Sequence, residues 1–397
     1  MKSMTKLKNY HAFEIDKYAE AVSRYNYPDI IRHGDVNNVG SVCSNITPDE
    51  RNVPTLLMGG SPCQDFSFAG HQKGFQGDRG ALFFKFVEAL EIIKPKYFLL
   101  ENVMMTQKNQ DVISKYLGVK PVMINSQDFS AHHRKRLYFT NIPILPYIDK
   151  RIVLSDIIED GMVDRDKSYC VDANYFKGGS MKMYYEKSRR QLVFDTKGCH
   201  QVGEADIKGY DIIKRVYSTS GKSPALTTMQ GGHREPKIVC GSIIKRKINP
   251  DTGKRDDYNP EIKAKARIET RADEKTGTLT TITKDNVVVN HEQMYWRALT
   301  PKECERLQTV PDEYTKFGIF PDEFTYVDTK PISNSQRYKM LGNGWTVDVI
   351  AHILKGMELK DDLNVWSLFD GMSCGRIAID KVLDASNNLN KLKHMYG

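Results

Sequence analysis

Paired cysteines, long apolar runs and clustered histidines are all missing from this sequence. Its seven cysteines are scattered singly over 397 residues. An odd count without Cys-x-x-Cys spacing argues against a disulfide framework or a thiolate zinc site, and for a reducing compartment. The ten histidines form no ligand-like cluster. His132 and His133 are adjacent, and neighbours on a strand point to opposite faces, so no metal is expected. No apolar run approaches the roughly 20 residues of a membrane span. The first residues also lack the apolar centre of a signal peptide. The expectation is a cytoplasmic chain with no membrane partner. The length suits two lobes around a sizeable core. The formal charge of +8 mildly favours an anionic partner.

Against these absences stand a few dense segments. The apolar run Val53 to Met58 ends in Gly59-Gly60 and then presents Ser61-Pro62-Cys63-Gln64-Asp65-Phe66-Ser67. A strand followed by a tight turn sets a side chain at the carboxyl edge of a sheet, where open α/β proteins build their sites. A lone cysteine is more often a packed small hydrophobe, so Cys63 gains meaning only from its company. Lys96 to Leu100 reads as a buried strand, followed directly by Glu101-Asn102-Val103. A carboxylate at the end of an apolar strand is costly without a partner or a task. Asp128 to Phe139 carries His132-His133-Arg134-Lys135-Arg136 into another strand. Val365 to Asp380 reads as strand, turn with Gly371 and Gly375, and helix start, whereas the chain opens on Tyr10 to Asp16.

In this order and spacing the segments resemble the cytosine carbon-5 DNA methyltransferase family. Arg297 to Asp312 is similar to the helix before that family's last motif, and Gln336 to Gly344 to the motif itself. The resemblance implies that Cys63 is the nucleophile, that Glu101 is the acid engaging the base, and that Arg134 and Arg136 support both. The thiolate would add to carbon-6 of cytosine and make carbon-5 nucleophilic, a covalent route that splits one hard step into easier ones. The implied methyl donor is S-adenosylmethionine. Its implied contacts are Phe369, Asp370, Gly371, Met372, Ser373 and Gly375 at the glycine-rich turn, then Glu14 and Ile15, Asp35, Pro62 and Asn343. Glu14 would accept from ribose hydroxyls, and Asp35 would meet the adenine amino group. The base must be flipped out of the duplex. The loop from Gln64 to Arg79 is long enough to close over it, with Gln64 and Ser67 on the DNA.

The donor turn lies at the wrong end for this family. The chain therefore reads as a circular permutant, cut between the first helix and the second strand, with Asp384 to Gly397 and Met1 to Lys8 as loose tails. Two departures from the common pattern stand out. Ser373 and Cys374 occupy positions where glycine is frequent. His132-His133 stand where many bacterial members have Pro and Gln, which makes His133 a candidate for an orienting role.

The expected fold class is α/β: a doubly wound, mostly parallel sheet of Rossmann-like methyltransferase type, with a smaller irregular β-rich target-recognition domain. Strand candidates are Tyr10–Ile15, Val53–Met58, Lys96–Leu100, Pro121–Asn125, Arg136–Ile142 and Asn364–Leu368. Helical periodicity covers Gly80–Leu90 and Trp345–Leu354. The expected domains are 1–149 and 291–397, forming one catalytic unit, and 150–290 for target recognition. Within the latter, Gln230 and Arg234 are base-reading candidates, because Arg suits guanine edges and Gln adenine edges. The expected partner is double-stranded DNA, with a cognate restriction endonuclease left open, for a monomer near the nucleoid of a bacterial or phage-infected cell. A tRNA cytosine methyltransferase on the same scaffold, or a catalytic chain needing a partner subunit, remain alternatives.

Overall fold

The structure, a computed structural model, describes residues 5–47, 53, 55–60, 82–178, 184, 187–195, 201–204, 215–217, 240–247, 265–270, 286–288, 295–321 and 328–396. The chain divides into two compact units, one of residues 1–159, 163–192 and 298–397, the other of residues 160–162 and 193–297.

The first unit is built on a seven-stranded sheet. Its strands are β1 (Leu7–Phe13), β2 (Ile31–Arg32), β3 (Thr55–Gly59), β4 (Tyr97–Val103), β5 (Val122–Asn125), β6 (Lys135–Thr140) and, after a separate hairpin of β7 (Phe317–Phe320) with β8 (Asp328–Pro331), β9 (Leu363–Leu368). The spatial order is β2-β1-β9-β3-β4-β6-β5. All neighbours run parallel except β6, which is antiparallel to both β4 and β5. Every residue of β9 is buried, as expected of a strand covered on both faces. The last strand of the chain thus lies at the centre of the sheet, between β1 and β3.

Helices cover the sheet, and local chemistry sets their ends. Asp16 caps α1 (Lys17–Asn26) by accepting from the amides of Tyr18 and Ala19. After α2 (Val39–Ser44) and α3 (Phe83–Ile93), α4 (Gln107–Leu117) stops at Gly118, whose φ of 71° is the left-handed conformation that glycine adopts freely. Thr300 and Glu303 form a capping box on α5 (Pro301–Leu307). Then follow α6 (Asn334–Asn343), α7 (Val347–Leu354) and α8 (Cys374–Tyr396). Leu57, Phe86, Leu100, Phe139, Trp366 and Leu368 meet in the core on one side of the sheet.

Three expectations need correcting. Residues 384–396 continue α8 rather than forming a loose tail, because no Gly or Pro follows Gly375 until residue 397 to break the helix. Leu7 and Lys8 belong to β1, where Leu7 pairs with Leu363. The boundary at residue 150 also moves. Residues 163–192 fold with the first unit, where Val171 takes a hydrogen bond from Arg134 and the Tyr175 ring lies 5.6 Å from that of Tyr338, tilted by 35°.

The second unit is β-rich. Cys240–Arg246 pairs antiparallel with Lys265–Thr270 on one side and Asn286–Val288 on the other, and Gln201–Glu204 forms a separate pair with Arg215–Tyr217.

Candidate active site

The carboxyl ends of β1, β2, β3, β4 and β9 open onto one cavity of about 380 Å³. Glu14 follows β1, Asp35 follows β2, Gly60 follows β3, Glu101 lies near the end of β4, and Phe369 follows β9; all line the wall. The chain leaves β1 towards β2 and returns across β9 to β3. Such a reversal at the carboxyl edge is where open α/β sheets take ligands.

The turn after β9 is strained and then pinned. Phe369 and Ser373 hold φ values of 59° and 66°, and Gly371 one of 60°. For the two non-glycine residues this costs about 1–3 kcal/mol each. Asp370 anchors the turn: its N–H donates to the Phe13 carbonyl at 3.0 Å, and its carboxylate accepts from Tyr10 Oη at 2.7 Å and Ser373 Oγ at 2.6 Å. Burial raises the Asp370 carboxyl above its ordinary value, although the hydrogen bonds from Ser373 and Tyr10 pull the other way. Phe369, Asp370, Gly371 and Met372 line the cavity. Ser373 instead reaches Ser23 Oγ at 2.8 Å. Gly375 faces Met58 and the Tyr10 hydroxyl so closely that a Cβ would collide with Met58. These two residues shape the turn from behind.

Glu14 joins the two ends of the chain. Its Oε1 accepts from the amides of Ile15 (2.9 Å) and Asp16 (2.7 Å), and its Oε2 accepts from Gly371 N–H at 2.7 Å. Burial raises its pKa, and the three amide bonds oppose that shift. Ile15, 74% exposed, lies on the cavity wall. Asp35 uses Oδ1 to accept from Asn37 N–H at 2.8 Å, which leaves its second oxygen for the cavity. Asn343 is an exposed wall residue.

Sheet register creates the other wall. β4 extends through Val103, beyond the strand end expected at Leu100, because β6 pairs with it. In that ladder Val103 faces Arg136 and Glu101 faces Tyr138. Glu101 and Arg136 are therefore diagonal neighbours on one face, within reach of long side chains. Arg136 Nε lies 3.0 Å from Glu101 Oε1. The other oxygen, Oε2, accepts from Trp345 Nε1 at 3.1 Å.

Arg134 acts elsewhere than on Glu101. Its buried guanidinium donates to the carbonyls of Gly344 (2.8 Å), Val171 (3.1 Å) and Gly342 (3.2 Å). It thereby ties down the segment after α6. His132, rather than His133, is the buried histidine of the pair. Its Nε2 lies 3.2 Å from Thr346 Oγ1, and burial together with Arg134 and Arg136 holds its pKa well below the usual value. His133 is exposed.

Sequence reasoning missed Trp345 and Gly60. The periodicity places Trp345 in a helix, but that helix starts two residues later, at Val347. Gly60 reads from the sequence as part of a tight turn, yet a Cβ there would lie 2.9 Å from Trp345 Nε1 and 3.2 Å from Glu101 Oε2. The Gly59-Gly60 pair after an apolar run was the available signal of close backbone approach. Pro62, Cys63, Gln64, Ser67, Gln230 and Arg234 lie outside the described residues. Burial pushes the thiols of Cys43 and Cys374 up to about 12 and that of Cys304 well above its ordinary value. Among the described residues no group of three His, Cys, Asp or Glu side chains could hold a metal ion, and no helix is long and apolar enough to cross a membrane.

Residues 2–358 match the family described as C-5 cytosine-specific DNA methylase. The orphan methyltransferase M.Rho11sI of Bacillus phage rho11s is 28% identical, over 86% of this chain and 91% of its own length. The putative type II methyltransferase M.BsuMIIP of Bacillus subtilis (strain 168) is 28% identical over 86% and 90%. The type II methyltransferase M.BanI of Aneurinibacillus aneurinilyticus is 27% identical over 81% and 84%. With nearly its whole length matched, this chain belongs to the C-5 cytosine-specific DNA methylase family, whose members methylate DNA with S-adenosylmethionine as donor.

Proposed function

We propose that the chain transfers the methyl group to carbon-5 of a cytosine flipped out of a specific duplex sequence, through a covalent adduct with Cys63. The observation that carries this reading is the clamped carboxylate of Glu101 beside Gly60 on the cavity wall. Cys63 follows Gly60 by three residues, so the chain can carry its Cα no farther than about 11 Å from that of Gly60.

The residues present fit the donor. An adenosyl sulfonium is cationic at sulfur and polar at the ribose, and Glu14 and Asp35 offer acceptors along one wall. Gly371, with open space where a Cβ would be, lets the backbone come close to a ligand. S-adenosylmethionine, when bound, supplies an electrophilic methyl group to the electron pair at carbon-5.

The protein's own groups do the rest. The Cys63 thiolate gives its pair to carbon-6, forming a carbon–sulfur bond and moving ring electrons to carbon-5. Glu101 shares a proton with ring nitrogen-3 and so stabilises the charge that develops. Arg136 holds Glu101 in place, and Arg134 holds the segment behind it. After methylation the carbon-5 proton leaves to a base. The carbon–sulfur bond breaks, its pair returns to sulfur, and the ring regains aromaticity. Flipping the base costs a few kcal/mol, which contacts to the extruded nucleotide must offset.

The central place of β9 supports reading the chain as circularly permuted, with its donor turn carried at the carboxyl end. The residues from 193 to 297 are read as the target-recognition region, with Gln230 and Arg234 as its base-reading candidates. Pairing with a restriction endonuclease is one setting for this activity, and an orphan role is the other.

The test is transfer of labelled methyl from S-adenosylmethionine to mixed-sequence duplex DNA, followed by bisulfite sequencing. Label at cytosine within one short motif is the expected result. Transfer to tRNA alone would overturn the DNA assignment.

A further inference from the structure

We propose that Trp345 is a positioning residue for Glu101: its indole N–H fixes the Oε2 oxygen and, with Arg136 on Oε1, sets the plane of the carboxylate. The inference rests on the reading of Glu101 as the group that engages the base.

A carboxylate held at one oxygen can still turn about its terminal torsion, which is broad and roughly two-fold. Arg136 alone would leave that freedom. A second donor on the other oxygen removes it, and Trp345 supplies that donor at 3.1 Å. The tryptophan is 8% exposed, and a buried indole N–H needs a partner. A wall needing only apolar surface at this point would be served by leucine or valine.

The indole is itself held on both sides. Before it, the Gly344 carbonyl accepts from Arg134 at 2.8 Å. After it, Thr346 Oγ1 donates to Gln308 Oε1 at 2.9 Å and accepts from Ser126 Oγ at 2.9 Å. With its one proton spent on Gln308, that hydroxyl can only accept from His132 Nε2, so that ring nitrogen carries a proton. Gln308 also donates to the Leu341 carbonyl at 2.6 Å. From the β3 side, Gly60 presses bare backbone over the indole–carboxylate hydrogen bond. Arg134, His132 and Thr346 are thus one platform under the tryptophan.

The experiment compares full-length Trp345→Phe and Trp345→His with wild type and Glu101→Gln. It measures kcat at saturating donor and DNA, with donor affinity measured separately by titration. Phenylalanine keeps a ring against the cavity but loses the N–H, and histidine can restore a donor. The expected result is a kcat about 10- to 100-fold lower for Trp345→Phe, the size of one hydrogen bond to a charged group, with donor Kd changed less than about threefold and kcat partly recovered in Trp345→His. Three results would overturn the proposal: unchanged kcat in Trp345→Phe, equal loss in both variants, or loss confined to donor affinity. Should neither variant fold, Gly60→Ala, whose Cβ would wedge at 2.9 Å from the indole nitrogen, must lower kcat in the same way. Full activity in Glu101→Gln would instead overturn the role of Glu101 itself.

Discussion

Gly371 donates its N–H to Glu14 Oε2 at 2.7 Å across 357 residues of chain. This one bond ties the turn after the last strand to the residue after the first. It makes one stretch of the cavity wall from opposite ends of the sequence.

Replacing Glu14 should therefore damage both donor turns at once. Glu14→Ala removes the acceptor of three backbone amides. Donor affinity should fall by about 10- to 100-fold, as for loss of hydrogen bonds to a charged group. Calorimetric titration with S-adenosylhomocysteine checks this, and an unchanged Kd would remove Glu14 from the donor site.

Two thiols carry opposite expectations. Cys63→Ala should abolish turnover while DNA and donor binding persist. Cys374→Ala should retain turnover, since that thiol is buried with its pKa pushed up to about 12 and cannot readily form the nucleophilic thiolate. Single-turnover assays on both variants decide it. Activity in Cys63→Ala would sink the covalent route at that residue.

Gly342 packs without clearance against the backbone of Asp172 and Ala173. Gly342→Ala would force either α6 or that segment to move, at a cost of about 2–3 kcal/mol. Urea unfolding should show it as a lower midpoint. A wild-type midpoint would mean that the contact yields freely.

Asp348 predicts a pH dependence. Burial works to raise its carboxyl, but hydrogen bonds from Lys150 at 2.6 Å and Lys381 at 2.8 Å outweigh burial and hold it below its ordinary value. Its contribution is present above the unfolded carboxyl pKa of about 3.9 and fades as pH falls through the lower folded value. Asp348→Asn should thus cost about 1 kcal/mol at pH 7 and little at pH 3. Thermal melts at the two pH values test the difference, and an equal loss at both would refute it.

Much of the catalytic unit was legible from local pattern. The apolar strands from Tyr10, Val53, Lys96 and Asn364 could be read because a strand buried on both faces leaves a nearly continuous apolar run. The strained turn at Phe369 was marked by its glycines. The two-residue β2 was too short to leave such a pattern. Trp345 was hidden for another reason: a tryptophan beside an amphipathic run looks like part of that run. Only the fold shows that the helix begins after Thr346, whose backbone is extended, and that the indole meets Glu101.

Taken alone, the sequence determined which side chains are available and which segments become strands, because periodicity and turn chemistry are local. It also determined the acid at the end of β4 and the basic residues entering β6. Tertiary structure decided which of them meet. β6 runs antiparallel, so its first residues reach the same edge as the last residues of β4, and Arg136 lands diagonally from Glu101 while Arg134 turns to the carbonyls after α6. Strand direction and register depend on long-range pairing and on how the faces bury, and no local pattern carries that information.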